Sequence, residues 1–411
     1  MKKLLFIILS IIVISGLIFS GCAKKEAAPA AGGKTILLGA INSMTGGEAM
    51  VGGEHRWAYQ KAVDDINAKG GVFVKELNQK LPMKLVVVDD QSDVSQAAAA
   101  AEKLIKLENV DFILGTVSTP LNVSGGAVAE KYKKLYVTTT TWPEEFLAQK
   151  FSWVADSFFY AGKLLESSLM VLDAIPANER PKKVCVLVPD DPDGQGFGGG
   201  ASATVPKLGY ELALYEAYTA GTKDFSSSIL KMKSAGVEAL VVLCSSADGI
   251  TLIRQMKETD FNVKYIWGAK GFWPVEFRDA LGSDSDYIVS DGHWAEALGQ
   301  PGSKDLGDRF RKEFGKDKTS VTIGNFYSIV QALAQAIEQA GSLDSTKVRD
   351  VFYSGTFVAK GTTNGDLTFD KQGLSAVPPV ALQWYKGDRM PVYPIDPKVW
   401  TLKLMPPWNK R

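Results

Sequence analysis

From residue 35 onward, apolar runs of four to six residues alternate with longer segments whose apolar positions recur every three or four residues. The runs predict strands at 35–40, 84–88, 111–114 and 135–137. The periodic segments predict helices at 50–68, stopped by Gly70-Gly71, at 95–107 and at 120–133. The strands are apolar throughout instead of alternating, as strands covered on both faces are, so the pattern predicts a parallel sheet between helices. It then begins again, with strands at 184–188, 211–216, 239–243 and 264–267 and helices at 198–208, 226–235 and 249–259. A long helix at 325–340 ending on Gly341 and a hairpin turning at Lys386-Gly387-Asp388 follow. These are too few for a third domain and are expected to complete the two α/β units, which makes the chain cross between lobes several times and form a hinge.

The N-terminus carries a different pattern. Lys2 and Lys3 precede an uncharged apolar stretch at 4–19, followed by Ser20-Gly21 and Cys22. This is the layout of an export signal, and the apolar stretch is shorter than the roughly 20 residues a spanning helix needs. Phe19-Ser20-Gly21-Cys22 resembles the bacterial lipobox, which implies lipidation of Cys22. Residues 1–21 thus read as a signal peptide and 22–33, small, polar and proline-bearing, as a lipidated tether. The expected location is extracytoplasmic, anchored to a bacterial membrane.

A chain starting at Cys22 has 390 residues, enough for two domains, with 44 basic and 46 acidic side chains. That balance supplies no electrostatic footprint for nucleic acid. Cys185 and Cys244 lie in separate apolar strands and read as packing thiols, not a bridge. The expected lobes are 34–153 with 292–358 and 154–291 with 359–411.

Open parallel sheets bind ligands beyond the carboxyl ends of their strands. Three hydroxyl-rich segments stand there: Asn42-Ser43-Met44-Thr45, Gly115-Thr116-Val117-Ser118-Thr119-Pro120 and Thr138-Thr139-Thr140-Thr141-Trp142-Pro143. Thr119 before Pro120 reads as an N-cap, which leaves two uses open: an anion site at the helix start, or a cap serving only its own helix. In the second unit Gly194, Gly196 and Gly199 satisfy G-x-G-x-x-G, but three aspartates precede them and would repel a pyrophosphate, so a glycine-rich cleft loop is the expectation. Asp89-Asp90 and Asp190-Asp191 are carboxylate pairs at strand ends. His55 and His293 are the only histidines, with no metal spacing and no nucleophile elbow, so no catalytic residue, metal or cofactor is expected.

Residues 39–72, Val86 to Asp90, the Gly115 to Thr119 loop and Thr219-Ala220-Gly221-Thr222-Lys223-Asp224-Phe225-Ser226 together resemble the leucine and branched-chain amino-acid binding proteins of ABC importers. The resemblance implies a type I periplasmic-binding-protein fold, two Rossmann-like lobes joined by three crossings, and a monomer that closes on a small amino acid or related carboxylate and delivers it to a membrane permease. It implies a carboxylate contact at Thr119, carboxylate and ammonium contacts at Thr140 and Trp142, and second-lobe contacts at Gln195, Ser245 and Lys270. With Ser43, Thr45, Ser118 and Thr141 from the strand-end segments, these are the candidate ligand residues. Lys270 stands where the family has a glutamate pairing with the ammonium, which points towards a deaminated or aromatic acid, or to another acid such as Asp248 or Glu276 taking the ammonium. A ligand-sensing module and a secreted hydrolase are the alternative functions.

Overall fold

The computed structural model describes residues 34–315 and 318–411; the leader, Cys22 and the tether lie outside the described residues. The first series runs β1 Ile36–Asn42, α1 Ala49–Ala68, a small antiparallel pair β2 Val72–Val74 and β3 Gln79–Leu81, β4 Met83–Asp89, α2 Val94–Lys106, β5 Phe112–Leu114, α3 Thr119–Tyr132, β6 Tyr136–Thr138, α4 Pro143–Gln149 and β7 Val154–Phe158. After α5 Ala161–Met170 the second series runs β8 Lys183–Pro189, α6 Pro192–Lys207, β9 Glu211–Tyr218, α7 Ser226–Ala235, β10 Ala239–Cys244, α8 Ser246–Glu258, β11 Tyr265–Lys270, α9 Val275–Leu281 and β12 Val289–Gly292. The remainder is α10 Ser303–Phe314, α11 Ile323–Ala340, α12 Ser345–Phe352, the pair β13 Val358–Thr362 and β14 Gly365–Thr368, β15 Leu374–Ala376, and the hairpin β16 Val380–Tyr385 and β17 Asp388–Tyr393.

Both large sheets have the same core order, β4-β1-β5-β6-β7 and β9-β8-β10-β11-β12, all parallel. β15 extends the first in parallel, and β16 and β17 extend the second antiparallel. The trailing pieces therefore complete the sheets, as the pattern predicts. α11 is buried along most of its length, through Phe326, Ile329, Val330, Leu333 and Ile337, and packs on α1. In β8 every residue from Val184 to Val188 is buried; each such apolar side chain contributes about 1.5–3 kcal/mol. Cys185 and Cys244 are free and buried, and desolvation holds both thiols above their ordinary pKa.

The chain passes between the sheets three times: after Phe158, after Gly292 and after Ala376. Two of these differ from the expected borders. Val154 pairs with Tyr136 and Leu374 with Asp156, so 154–158 and 374–376 belong to the first sheet, not to the second lobe. Neither short strand is set apart by composition from the loops around it.

The glycine-rich stretch after β8 is helix, not loop. α6 starts at Pro192, six residues before the predicted start, and Asp191 caps it by accepting the Gly194 N–H at 2.8 Å. A Cβ on Gly194 would lie 1.9 Å from the Pro189 carbonyl oxygen. This glycine lets α6 seat against the end of β8, and the same solution appears in the first lobe, where a Cβ on Gly52 would meet the Ser43 carbonyl oxygen at 1.8 Å. The dinucleotide fingerprint needs glycines in the turn before the helix; here they lie inside it.

Candidate ligand-binding cleft

The carboxyl ends of the two sheets face one another across a cavity of about 30 Å³. The first lobe contributes Val117, Ser118, Thr119, Thr140, Trp142 and Phe158; the second contributes Asp193, Leu243, Ala269, Lys270, Trp273 and Asp291. Its first-lobe end is the start of α3, which no side chain caps. Ser118 occupies the cap position and Thr119 is the first helical residue, one step inside the predicted place. The Thr119 hydroxyl accepts the Trp142 N–H at 3.4 Å and does not cap its own helix. The first-turn N–H groups have no intrahelical acceptors, so this end favours an anion. Thr140 lies on the wall, but its hydroxyl donates to the Thr116 carbonyl at 2.6 Å and accepts from Asn122.

Five candidates lie elsewhere. Ser43 donates to Asp90 at 2.7 Å and Thr45 to Asp89 at 2.8 Å. The carboxylates at the end of β4 gather the hydroxyls of the loop after β1, and Asp90 is fully buried. Thr141 is buried away from the cavity; Gln195 is exposed on α6. Ser245 caps α8, accepting the Asp248 N–H at 3.2 Å. Of the alternative acids, Asp248 accepts from Tyr218 and Gly221, and Glu276 is exposed. Neither reaches the cavity. Asp193, Asp291 and Glu48 are the acids that sequence reasoning missed. For Asp193 and Asp291 the signal was present, since each stands at or just past the end of a parallel strand.

Lys270 is already paired with acids of the protein. Its ammonium lies 2.6 Å from Glu48, just before α1, and 3.5 Å from Asp193 on α6. Its backbone is left-handed, φ 57°, a conformation that side chains other than glycine seldom adopt, and here it ends β11 at the cleft. Trp142 adds a second link between lobes, its indole N–H donating to Asp193 at 2.9 Å.

Residues 35–388, from β1 to the start of β17, match the periplasmic binding protein family model. The chain belongs to that family. It is 27% identical over 354 residues, 86% of its length and 90% of the relative's, to the leucine-, isoleucine-, valine-, threonine- and alanine-binding protein of Pseudomonas aeruginosa. The leucine-binding protein LivK of Thermotoga maritima shares its fold with a TM-score of 0.75 at 21% identity, over 87% of this chain and 97% of that one. An ABC-transporter solute-binding protein from R. palustris, solved with benzoate, does so with a TM-score of 0.74 at 15% identity, over 90% and 98%. The fold is thus the type I periplasmic-binding-protein α/β fold that the resemblance implies, and the relatives are binding proteins.

Within this binding-protein cleft the acids outnumber the cations. Asp291, at the end of β12, accepts from the Trp273 indole through Oδ1, while Oδ2 is buried without a partner. Burial outweighs that hydrogen bond and raises its pKa to about 7. Burial alone would lower the Lys270 pKa, but Glu48, Asp193 and Asp191 raise it above the usual lysine value. His293 packs edge-on against Phe158, Phe159 and Trp273, and burial lowers its pKa to about 3; burial does the same to His55. Neither histidine lines the cavity. Among the described residues no cluster of three or more His, Cys, Asp or Glu could hold a metal, and no helix is long and apolar enough to cross a membrane.

Asp291 makes stability depend on pH. An unfolded aspartate loses its proton near pH 4, whereas the folded one keeps it to about pH 7. Between these values the folded state binds more protons, so this contribution to stability is complete below pH 4 and is lost as pH rises to 7. Its full size is on the order of 4 kcal/mol. Buried Asp156 and Glu54, whose pKa values are also raised, add slopes of the same sign, so thermal melts from pH 4 to 8 are expected to fall more steeply in wild type than in Asp291→Asn.

Proposed function

We propose that the chain is the lipid-tethered solute-binding component of an ABC importer, and that its ligand is an amino acid with an apolar side chain. The observation that carries the ligand reading is the polarity of the cleft. One end is an uncapped helix start, and the other sets one ammonium, already paired, against Glu48, Asp193 and Asp291. A carboxylate suits the first end and an ammonium the second. Val117, Phe158, Leu243 and Ala269 offer apolar walls between them. The Pseudomonas relative, named for binding leucine, isoleucine, valine, threonine and alanine, four of them apolar, supports this reading.

Ligand pockets ordinarily measure about 300–1,000 Å³, so the lobes must part before a ligand enters. The three crossings supply the hinge. Ligand contacts made only when both lobes engage would drive closure. A thermal-shift panel of the amino acids, benzoate and 2-oxo acids tests the proposal: one or a few apolar amino acids should add about 2.7 kcal/mol of stability at a hundredfold excess over Kd. Stabilisation by benzoate or a 2-oxo acid alone would favour the acid reading that Lys270 suggests in the sequence. Stabilisation by no compound in the panel would reject amino-acid binding. The anchor has its own test. Cys22→Ser is expected to move the protein from the membrane fraction to the soluble fraction, and continued membrane retention would contradict lipidation.

A further inference from the structure

A cavity of about 520 Å³ lies apart from the cleft, between the α10 side of the molecule and the β16–β17 hairpin. Its walls are largely apolar, with Phe310, Ile323, Leu382, Met390 and Pro391 among them. Four cations stand around it. Arg311 is paired with Glu296 at 2.7 Å, Lys304 with Asp308 at 2.7 Å, and Lys318 with Asp279. Arg389 differs. Its Nε donates to the Thr319 hydroxyl at 3.0 Å, one terminal nitrogen donates to the Trp273 carbonyl, and its guanidinium lies 4.0 Å from the Trp384 ring centroid. Nη1 is buried without a hydrogen-bond partner, and among the described residues no carboxylate forms an ion pair with the group. Glu54 and Glu276 act on it only from beyond ion-pair distance. A buried guanidinium with no acid in direct contact is costly, and an anion brought beside it relieves that cost.

We propose that this cavity is a second ligand site, distinct from the amino-acid cleft, for an amphipathic monocarboxylate whose apolar body fills the cavity and whose acid pairs with Arg389. The site spans both lobes. Phe310 lies on α10, whose neighbour Phe314 packs edge-on against Trp57 of α1, while Leu382 and Arg389 lie on strands of the second sheet. An occupant touches both sides of the hinge and so biases the opening equilibrium. Arg389 also holds the backbone of Trp273, a cleft residue, and thereby connects the two sites physically.

Octanoate is the probe. Calorimetric titration of the full chain should find one octanoate bound, with octan-1-ol roughly tenfold weaker or worse because it lacks the charge-assisted hydrogen bond. Arg389→Gln should weaken octanoate at least about tenfold. Ala297→Phe, at an exposed position on the cavity rim, should block it while leaving the interior untouched. Thr119→Ala changes only the cleft and should leave octanoate affinity as in wild type. Absence of binding, equal affinity for the alcohol, indifference to Arg389→Gln or to Ala297→Phe, or loss in Thr119→Ala would each overturn the proposal. None of these outcomes bears on whether the cleft takes amino acids.

Discussion

Asp291→Asn is expected to weaken amino-acid binding on the order of a hundredfold while making the unliganded protein more stable at pH 8. Removing one member of a buried charge pair costs about 2–5 kcal/mol, much of it the penalty of leaving the other charge unpaired. In the proposed complex that other charge is the ligand ammonium. The substitution keeps an acceptor for the Trp273 indole, so the wall retains its shape. It removes the carboxylate whose burial raises its pKa to about 7, and with it the cost of ionising that group at pH 8. Binding and stability therefore move in opposite directions, as expected where a site is held in a state the fold alone disfavours. Titration calorimetry with leucine and a thermal melt on the same sample measure both. Weakened binding with a lower melting temperature would point to a structural role for Asp291 instead.

Lys270→Met is expected to open the molecule. The lysine ammonium joins Glu48 of one lobe to Asp193 of the other, and all three side chains are at most 20% exposed. Without it two carboxylates face the same space with no cation between them. Breaking a buried pair by removing one partner costs about 3–5 kcal/mol, enough to shift a two-state equilibrium by two decades or more. The loss falls on the closed arrangement, because only there do the three groups meet. Small-angle scattering should show a larger radius of gyration for the ligand-free variant than for wild type, and an excess of ligand should reverse the difference. An unchanged radius would show that the Trp142 to Asp193 contact and the packing of α3 against α6 hold the lobes without Lys270.

The series of buried strands and intervening helices was legible because its period is local: β1, β4, β8 and β10 lie within two residues of their predicted ends. β7 and β15 were not legible, because three to five residues join the first sheet only through partners far along the chain. The candidate site divides in the same way. Ser118, Thr119, Thr140 and Trp142 follow strands that end at the cleft, and the structure places them on its wall. Ser43 and Thr45 follow such a strand too, but Asp89 and Asp90 on the neighbouring strand capture their hydroxyls. Lys270 shows the limit most clearly. Its position in the sequence suggests a reader of ligand acids, yet its partners Glu48 and Asp193 come from segments 222 and 77 residues away. No local pattern reports a charge balance assembled over such distances.

In the proposed function the cleft takes a ligand carrying both a carboxylate and an ammonium. The most direct test is calorimetric titration of the wild-type chain with leucine and with 4-methyl-2-oxopentanoate, which differs only in replacing the ammonium-bearing carbon by a carbonyl. Leucine is expected to bind at least about a hundredfold more tightly, the share assigned to the ammonium among Asp193, Asp291 and Glu48. Equal or tighter binding of the oxo acid would contradict it.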